Sequence, residues 1–291
     1  MKTVAVMSGK GGTGKTMVAA GFAVFSQQRL LLADCDVDAA NLSLLLKTSD
    51  TACRPFMGLD CASIDQSRCV GCGLCEAYCR FSAIDQGDDG VFQVNPLKCE
   101  GCAVCTLVCG EEAITISKRQ SGEVCHSETP QGPLYHAELF SGSGTSGMLV
   151  FEVKKDALEN KEKLPAFLID GPPGIGCPVI SAISGADAVV MVTEPGISAL
   201  HDLQRLVTIC RQFGVDMFLV LNKADLDKER AEDVKRYCAQ EKIQMIGTIP
   251  FDPAVIAAAR RGETIADTDT PAAISLKEAW KTLCTAMGIP Q

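Results

Sequence analysis

Gly9-Lys10-Gly11-Gly12-Thr13-Gly14-Lys15-Thr16 follows the apolar run Val4-Ala5-Val6-Met7 and leads into a helical pattern that begins near Lys15. The stretch fits G-x-x-x-x-G-K-[ST] in the strand-to-helix setting that this motif requires. Glycines there let backbone N–H groups curl around phosphate oxygens. Lys15 brings a positive charge to the β and γ phosphates, and the Thr16 hydroxyl can ligate Mg²⁺. The same residues also satisfy G-x-G-x-x-G, at Gly9, Gly11 and Gly14, with Asp34 downstream as a possible ribose-binding acid. That dinucleotide reading leaves Lys15, Thr16 and a second acid cluster without a task.

Outward from this loop, strand-like runs alternate with helix-length segments in the first fifty residues and again after about residue 148, the pattern of a parallel sheet covered on both faces. Strands are expected at Thr3–Met7, Arg29–Ala33, Ala166–Ile169, Ala188–Thr193, Met217–Leu221 and Gln244–Ile249. Helices should begin near Lys15, Pro178, Ser198, Lys228 and Pro253, with a last one from about Ala272 to Met287. A chain of 291 residues has room for one large α/β domain and a smaller unit. The middle third breaks the rhythm with cysteines, Gly87-Asp88-Asp89-Gly90 and a Ser/Gly-rich loop over 141–147, and reads as an insertion.

The insertion holds an internal repeat. Cys69, Cys72, Cys75 and Cys79, followed by Ala83-Ile84, recur 30 residues on as Cys99, Cys102, Cys105 and Cys109, followed by Ala113-Ile114. Such a duplication suggests a pseudo-two-fold unit, each half giving a cysteine loop, a short helix and a short strand. The N-terminus runs into a strand, and Gly9 and Lys10 interrupt it before a signal-peptide core could form, so a cytoplasmic location is expected. In that setting the chain's sixteen cysteines point to metal rather than to disulfides. Paired C-x2-C knuckles are usual for zinc; triplets with a trailing fourth cysteine are usual for iron–sulfur clusters.

Acidic residues gather at strand ends, where open α/β sheets place ligand-contacting groups. Asp34-Cys35-Asp36-Val37-Asp38 ends the second strand, and Asp170-Gly171-Pro172-Pro173-Gly174 follows Phe167-Leu168-Ile169. These carboxylates can hold Mg²⁺ or orient water; the alternative is helix capping, best suited to Asp38. Asn222-Lys223-Ala224-Asp225 has the form of a base-reading N-K-x-D element, which leaves guanine and adenine open. Asp252, before Pro253, is equally a helix cap.

The loop with its extra Lys10 resembles the deviant P-loop of the family containing MinD and the nitrogenase iron protein, and the whole chain resembles MinD-superfamily ATPases with an inserted ferredoxin domain. The fold that this implies is an α/β parallel-sheet P-loop NTPase domain, over residues 1–50 and 119–291, with an α+β bacterial ferredoxin-like domain inserted over 60–118. By the resemblance, Lys10 reaches nucleotide across a dimer interface, Asp36 positions the attacking water, and Asp34 and Asp170 join Thr16 around Mg²⁺, with Gly174 near the γ-phosphate. Gly11, Gly12, Thr13, Gly14, Lys15, Thr16 and Met17 hold ATP, while Asn222, Lys223, Pro250 and Asp252 flank the base. Thr193-Glu194-Pro195 through His201-Asp202-Leu203 also follow that group's pattern. In the ferredoxin pattern, Cys69, Cys72, Cys75 and Cys109 hold one [4Fe–4S] cluster and Cys79, Cys99, Cys102 and Cys105 the other. Arg80 and Gly110 depart from it, standing where proline usually follows the fourth cysteine. No role is assigned to Cys53, Cys61, Cys125 or Cys177, although packing suits Cys177.

A net charge of −9 disfavours nucleic acid and anionic membranes, and no apolar stretch is long enough to span a bilayer. The expected activity is Mg-dependent ATP hydrolysis, slow without a partner, in a homodimer or a heterodimer with a related subunit. The expected task is electron transfer through the clusters to a protein partner; the alternative is assembly or delivery of iron–sulfur or other metal cofactors to a client. A membrane-positioning role ranks last, since the C-terminal helix lacks a basic amphipathic face.

Overall fold

Val4-Ala5-Val6-Met7 is buried at the centre of a sheet, as a strand covered by helices on both faces must be. The computed structural model describes residues 1–160 and 162–290. The chain begins β1 (Lys2–Ser8), α1 (Lys15–Phe25), β2 (Leu31–Asp34), α2 (Leu42–Leu45) and β3 (Ser49–Ile64). It continues through α3 (Leu74–Tyr78), β4 (Ile84–Gln86), β5 (Phe92–Val94), α4 (Val104–Val108), β6 (Ile114–Thr129) and β7 (Gly132–Leu139). Then come α5 (Ser146–Leu158), β8 (Ala166–Pro173), α6 (Cys177–Ile183), β9 (Ala188–Thr193) and α7 (Ile197–Phe213). The last elements are β10 (Asp216–Leu221), α8 (Lys228–Glu241), β11 (Gln244–Thr248), α9 (Pro253–Arg260) and α10 (Pro271–Met287).

Among the described residues the large sheet has the order β11-β10-β9-β1-β8-β2-β7-β6-β3. From β11 to β7 the pairing is parallel, with Val4 opposite both Leu168 and Ala188. β6 and β7 are joined by a two-residue turn, and Thr51 bonds Ser127 as Ser63 bonds Thr115, so β3 runs antiparallel to β6. The expected central strands and helix starts fall within a few residues of these elements. β3, β6 and β7 were not expected, for a physical reason: β3 is mostly exposed and carries Pro55 and Gly58, so it shows no apolar alternation.

The chain divides into two compact units. The first comprises Met1–Arg54, Val124–Glu138 and Ser146–Gln291; the second comprises Pro55–Glu123 and Leu139–Thr145. In the first unit α1 buries Val18, Ala19, Phe22 and Ala23, and Phe22 meets Trp280 of α10 at a ring-centroid distance of 5.3 Å. Leu276, Ala279, Trp280 and Leu283 of α10 are likewise committed to the core.

One expectation fails in this unit. Cys53 of β3 and Cys125 of β6 form a disulfide, where the reduced setting pointed away from any. Antiparallel pairing places the two directly opposite one another, which their separation of 72 residues does not reveal.

The second unit has a thin core. Ala62, Cys75, Ile84, Phe92 and Ile114 are its buried cluster, and the partly buried side chains packed against them include Cys69, Cys79, Cys99, Cys105 and Cys109. Its backbone repeats at the cysteine interval: left-handed residues occur at Gly71 and Gly101, Gly73 and Ala103, Ser82 and Glu112.

Candidate functional site

The glycine loop leaves the end of β1 and turns into α1. Gly12 and Gly14 have φ of +80° and +90°, and a Cβ on Gly14 would collide with the Asn222 side chain. The missing side chain lets the Asn222 amide donate to the Thr13 carbonyl at 2.8 Å, while Lys223 Nζ donates to the Gly12 carbonyl at 3.0 Å. Asn222 and Lys223 thus brace the loop as well as flank it.

Asp34, the last residue of β2, stands opposite Asp170 within β8, and both are fully buried. Lys15 Nζ reaches Asp170 Oδ1 at 2.6 Å, Asp36 at 3.6 Å and Thr16 Oγ1 at 3.4 Å. Burial works against the Lys15 charge, but Asp170, then Asp36 and Asp34, outweigh it and hold its pKa above the ordinary lysine range. Asp170 Oδ2 has no partner among the described residues, and neither does the buried Thr13 hydroxyl. A buried carboxylate oxygen without a partner, on the residue that shares Lys15 Nζ with the Thr16 hydroxyl, suits a hard cation. Gly174 donates its N–H to the Ser8 carbonyl at 2.9 Å, which docks the second acidic loop on the end of β1.

Asp34 accepts N–H bonds from Asp36, Asn41 and Leu42, at 3.1, 3.0 and 2.9 Å. The capping task assigned to Asp38 therefore belongs to Asp34, whose two oxygens organise the entry to α2 while Asp38 is exposed. Full burial and three N–H donors on its oxygens do not suit Asp34 to a ribose-binding role, which weighs against the dinucleotide reading. Burial, then the Asp170 carboxylate, push the Asp34 pKa up to about 7 against these N–H donors. Cation binding favours the ionised pair, so Mg-nucleotide affinity is expected to rise with pH below 7, by up to about tenfold per unit, and to level off above it. Calorimetry in buffers of different ionisation enthalpy would read the released proton. The sign for the ligand-free fold is opposite: it holds a proton that the unfolded chain has lost, so this group's contribution falls as pH rises from 3.8 towards 7.

Beyond the loop lies a cavity of 530 Å³ lined by Met17, Asn222 and Pro250 together with Phe251, Ile256 and Arg260. Asp252 lines it and also caps α9, accepting the Ala254 N–H at 2.9 Å. The walls from α9 and α10 carry no motif and were not foreseen. Glu194, part of the pattern noted in the sequence but given no role there, holds Lys10 at 2.6 Å and Lys223 at 3.0 Å. Burial opposes its ionisation, but bonds from Lys10 and Lys223 hold its pKa below the ordinary value. Lys154, also unforeseen, donates to the carbonyls of Ser181, Ala182 and Ser184 and caps the end of α6.

In the second unit, one cavity of 210 Å³ is lined by Cys69, Cys72, Cys75 and Cys109, and a narrower one of 20 Å³ by Cys79, Cys99, Cys102 and Cys105. Backbone N–H groups of Ala113, Ala83 and Ala62 donate to Cys109, Cys79 and Cys99 at 3.3, 3.4 and 3.5 Å.

The family described as CobQ/CobB/MinD/ParA nucleotide binding domain matches residues 4–265. An uncharacterized protein of Methanocaldococcus jannaschii is 32% identical over 282 residues, covering 96% of this chain and 95% of that protein. An uncharacterized ATP-binding protein of the same organism is 25% identical, over 94% of this chain and 84% of its own length. The Mg-ADP complex of the septum site-determining protein MinD from Pyrococcus horikoshii superposes with a TM-score of 0.61 at 20% identity, covering 99% of this chain and 97% of that one. Among the described residues no helix is long and apolar enough to cross a membrane. With its glycine loop, buried lysine and facing buried acids in the arrangement described above, the chain belongs to the CobQ/CobB/MinD/ParA nucleotide-binding family and is a P-loop ATPase.

Proposed function

We propose that this ATPase is an iron–sulfur protein that couples MgATP binding and hydrolysis in a dimer to electron transfer, with Cys69, Cys72, Cys75 and Cys109 holding one [4Fe–4S] cluster and Cys79, Cys99, Cys102 and Cys105 the other. The observation that carries this reading is the division of the eight cysteines into two cavities, four to each, with the fourth cysteine exchanged between the repeats. Triplets with a trailing fourth cysteine are the spacing of such clusters rather than of paired zinc knuckles. A unit with so few buried apolar residues also gains from internal metal, as small domains do. When bound, such clusters store and pass single electrons.

At the nucleotide, Lys15 exchanges its carboxylate partners for phosphate oxygens, Thr16 and Asp170 hold Mg²⁺, Asp36 positions the attacking water, and Asp34 fixes the backbone between Asp36 and Leu42. Lys10 must leave Glu194 before it can reach a partner subunit's nucleotide. Adenine is favoured over guanine because Asp225, which would have to face the base, instead accepts the Phe251 N–H at 2.6 Å, and it does not line the 530 Å³ cavity. ATP is therefore expected to displace a fluorescent nucleotide better than GTP, and Asp225→Asn should leave that preference unchanged; a change in base preference would mean that Asp225 reads the base.

The coupling is tested by anaerobic EPR of the dithionite-reduced protein before and after MgATP, with its iron content. A change in signal or potential, absent in Lys15→Ala, is the expected result. About eight irons per chain with spectra indifferent to ATP would overturn the coupling and favour cofactor assembly or delivery.

A further inference from the structure

Among the described residues β3 stands at the edge of the large sheet and pairs with β6 alone, and its residues 49–55 are all exposed. An edge strand without buried side chains gains nothing from apolar packing. Each of its ladder bonds replaces a bond to water, so the net gain is small. Side-chain fastenings along it are few. Thr51 Oγ1 meets Ser127 Oγ at 2.7 Å, and Arg54 pairs with Glu152 and Asp156 of α5 at 2.9 and 2.7 Å. Ion pairs as exposed as these contribute little. The covalent fastening is the bond from Cys53 to Cys125.

The two ends of that bond differ in access. Cys53 is exposed, whereas Cys125 is buried, like Val124 and Ser127 on the same strand. A thiolate arriving from solvent therefore meets the Cys53 sulfur first. Cys53 stands two residues before Pro55 and Cys125 two residues after Glu123, where the main segment of the second unit begins and ends. All eight cysteines of the 30-residue repeat lie between them in the sequence.

We propose that Cys53–Cys125 is a thiol–disulfide exchange site for a dithiol reductant, and that opening it releases the strand by which the chain enters the second unit. The reductant's first thiolate attacks the Cys53 sulfur. The Cys53–Cys125 bond breaks, and its electron pair leaves on Cys125, which takes a proton from water. The second thiolate then attacks the reductant's own sulfur in the mixed disulfide and expels Cys53, which is protonated in turn. Two electrons pass to the two cysteines, and the reductant leaves as a disulfide. A monothiol lacks the second step: Cys125 stands beside the mixed disulfide at high effective concentration and re-forms the bond. The need for a dithiol follows from that proximity. The proposal does not depend on iron, since neither cysteine is among the eight assigned to clusters.

The test equilibrates the full chain with mixtures of reduced and oxidised dithiothreitol and maps its cysteines by alkylation and mass spectrometry. Cys53 and Cys125 should convert together from disulfide to two thiols. Amide hydrogen exchange on the same samples should become at least about tenfold faster over 49–55 once the bond opens. Exchange over Ala188–Thr193, in the sheet's centre, should not change. Reduced glutathione at the same thiol concentration should leave most of the bond in place. The double variant Cys53→Ser, Cys125→Ala should exchange at the fast rate with or without dithiothreitol. A bond that neither mixture forms or opens would overturn the proposal. So would unchanged exchange over 49–55 in the reduced wild-type protein, a measurement that needs no substitution. A stable glutathione adduct on Cys53 would overturn the need for a dithiol.

Discussion

Lys15→Ala is expected to lower MgATP turnover by at least about 10²–10³-fold, the scale lost when one preorganised charge-stabilising donor is removed from an active site. The same change strips the cation from Asp170, which is fully buried. Leaving a buried charge without its partner costs about 3–5 kcal/mol, so the melting temperature should fall as well. The two losses separate in the double variant Lys15→Met, Asp170→Asn. Removing both charges while keeping their volumes should restore most of the stability and none of the turnover. Phosphate release and thermal melts on the three proteins check this. Restored turnover in the double variant would refute the assignment of Lys15 to the phosphates.

Cys79→Ala and Cys109→Ala should each cut the iron content from about eight to about four per chain, but at opposite sites. Cys79 lies in the first repeat, yet its sulfur lines the cavity of Cys99, Cys102 and Cys105; Cys109 lies in the second repeat and lines the cavity of Cys69, Cys72 and Cys75. In the Cys79→Ala protein, alkylation with mass mapping should modify Cys99, Cys102 and Cys105 and spare the first triplet; Cys109→Ala should give the reverse. If each loss instead mapped to the mutated residue's own triplet, the exchange of fourth cysteines would be wrong.

Much of the central sheet was legible because parallel strands covered on both faces must be nearly continuous apolar runs, and Ala188–Thr193 is buried at every residue. The phosphate loop was legible because its backbone geometry demands glycines at fixed places. β3 and β6 escaped because partly solvated strands need no such runs. Their pairing, and with it the Cys53–Cys125 bond, depends on register between segments far apart in the chain. At the nucleotide site the motif residues were readable. The apolar wall from α9 and α10 was not, because packing residues of any helix look alike. Glu194 was visible as part of a pattern, but its hold on Lys10 and Lys223 became evident only in three dimensions. Asp34 was read as a ligand group and Asp38 as a cap; the three N–H groups aimed at Asp34 give it the capping role too.

The order of strands in the large sheet also bears on biosynthesis. β1 lies between β8 and β9, so it has neither neighbour until synthesis has passed Ala166. All eight paired cysteines, by contrast, fall within 69–109 and emerge together. Chains fold from the N-terminus as they are made, and contacts distant in sequence form last. The nascent polypeptide therefore presents a complete set of thiols while the nucleotide fold is still open. Under the proposed cluster assignment, iron supply during translation, rather than ATP, is the condition that the growing chain meets first.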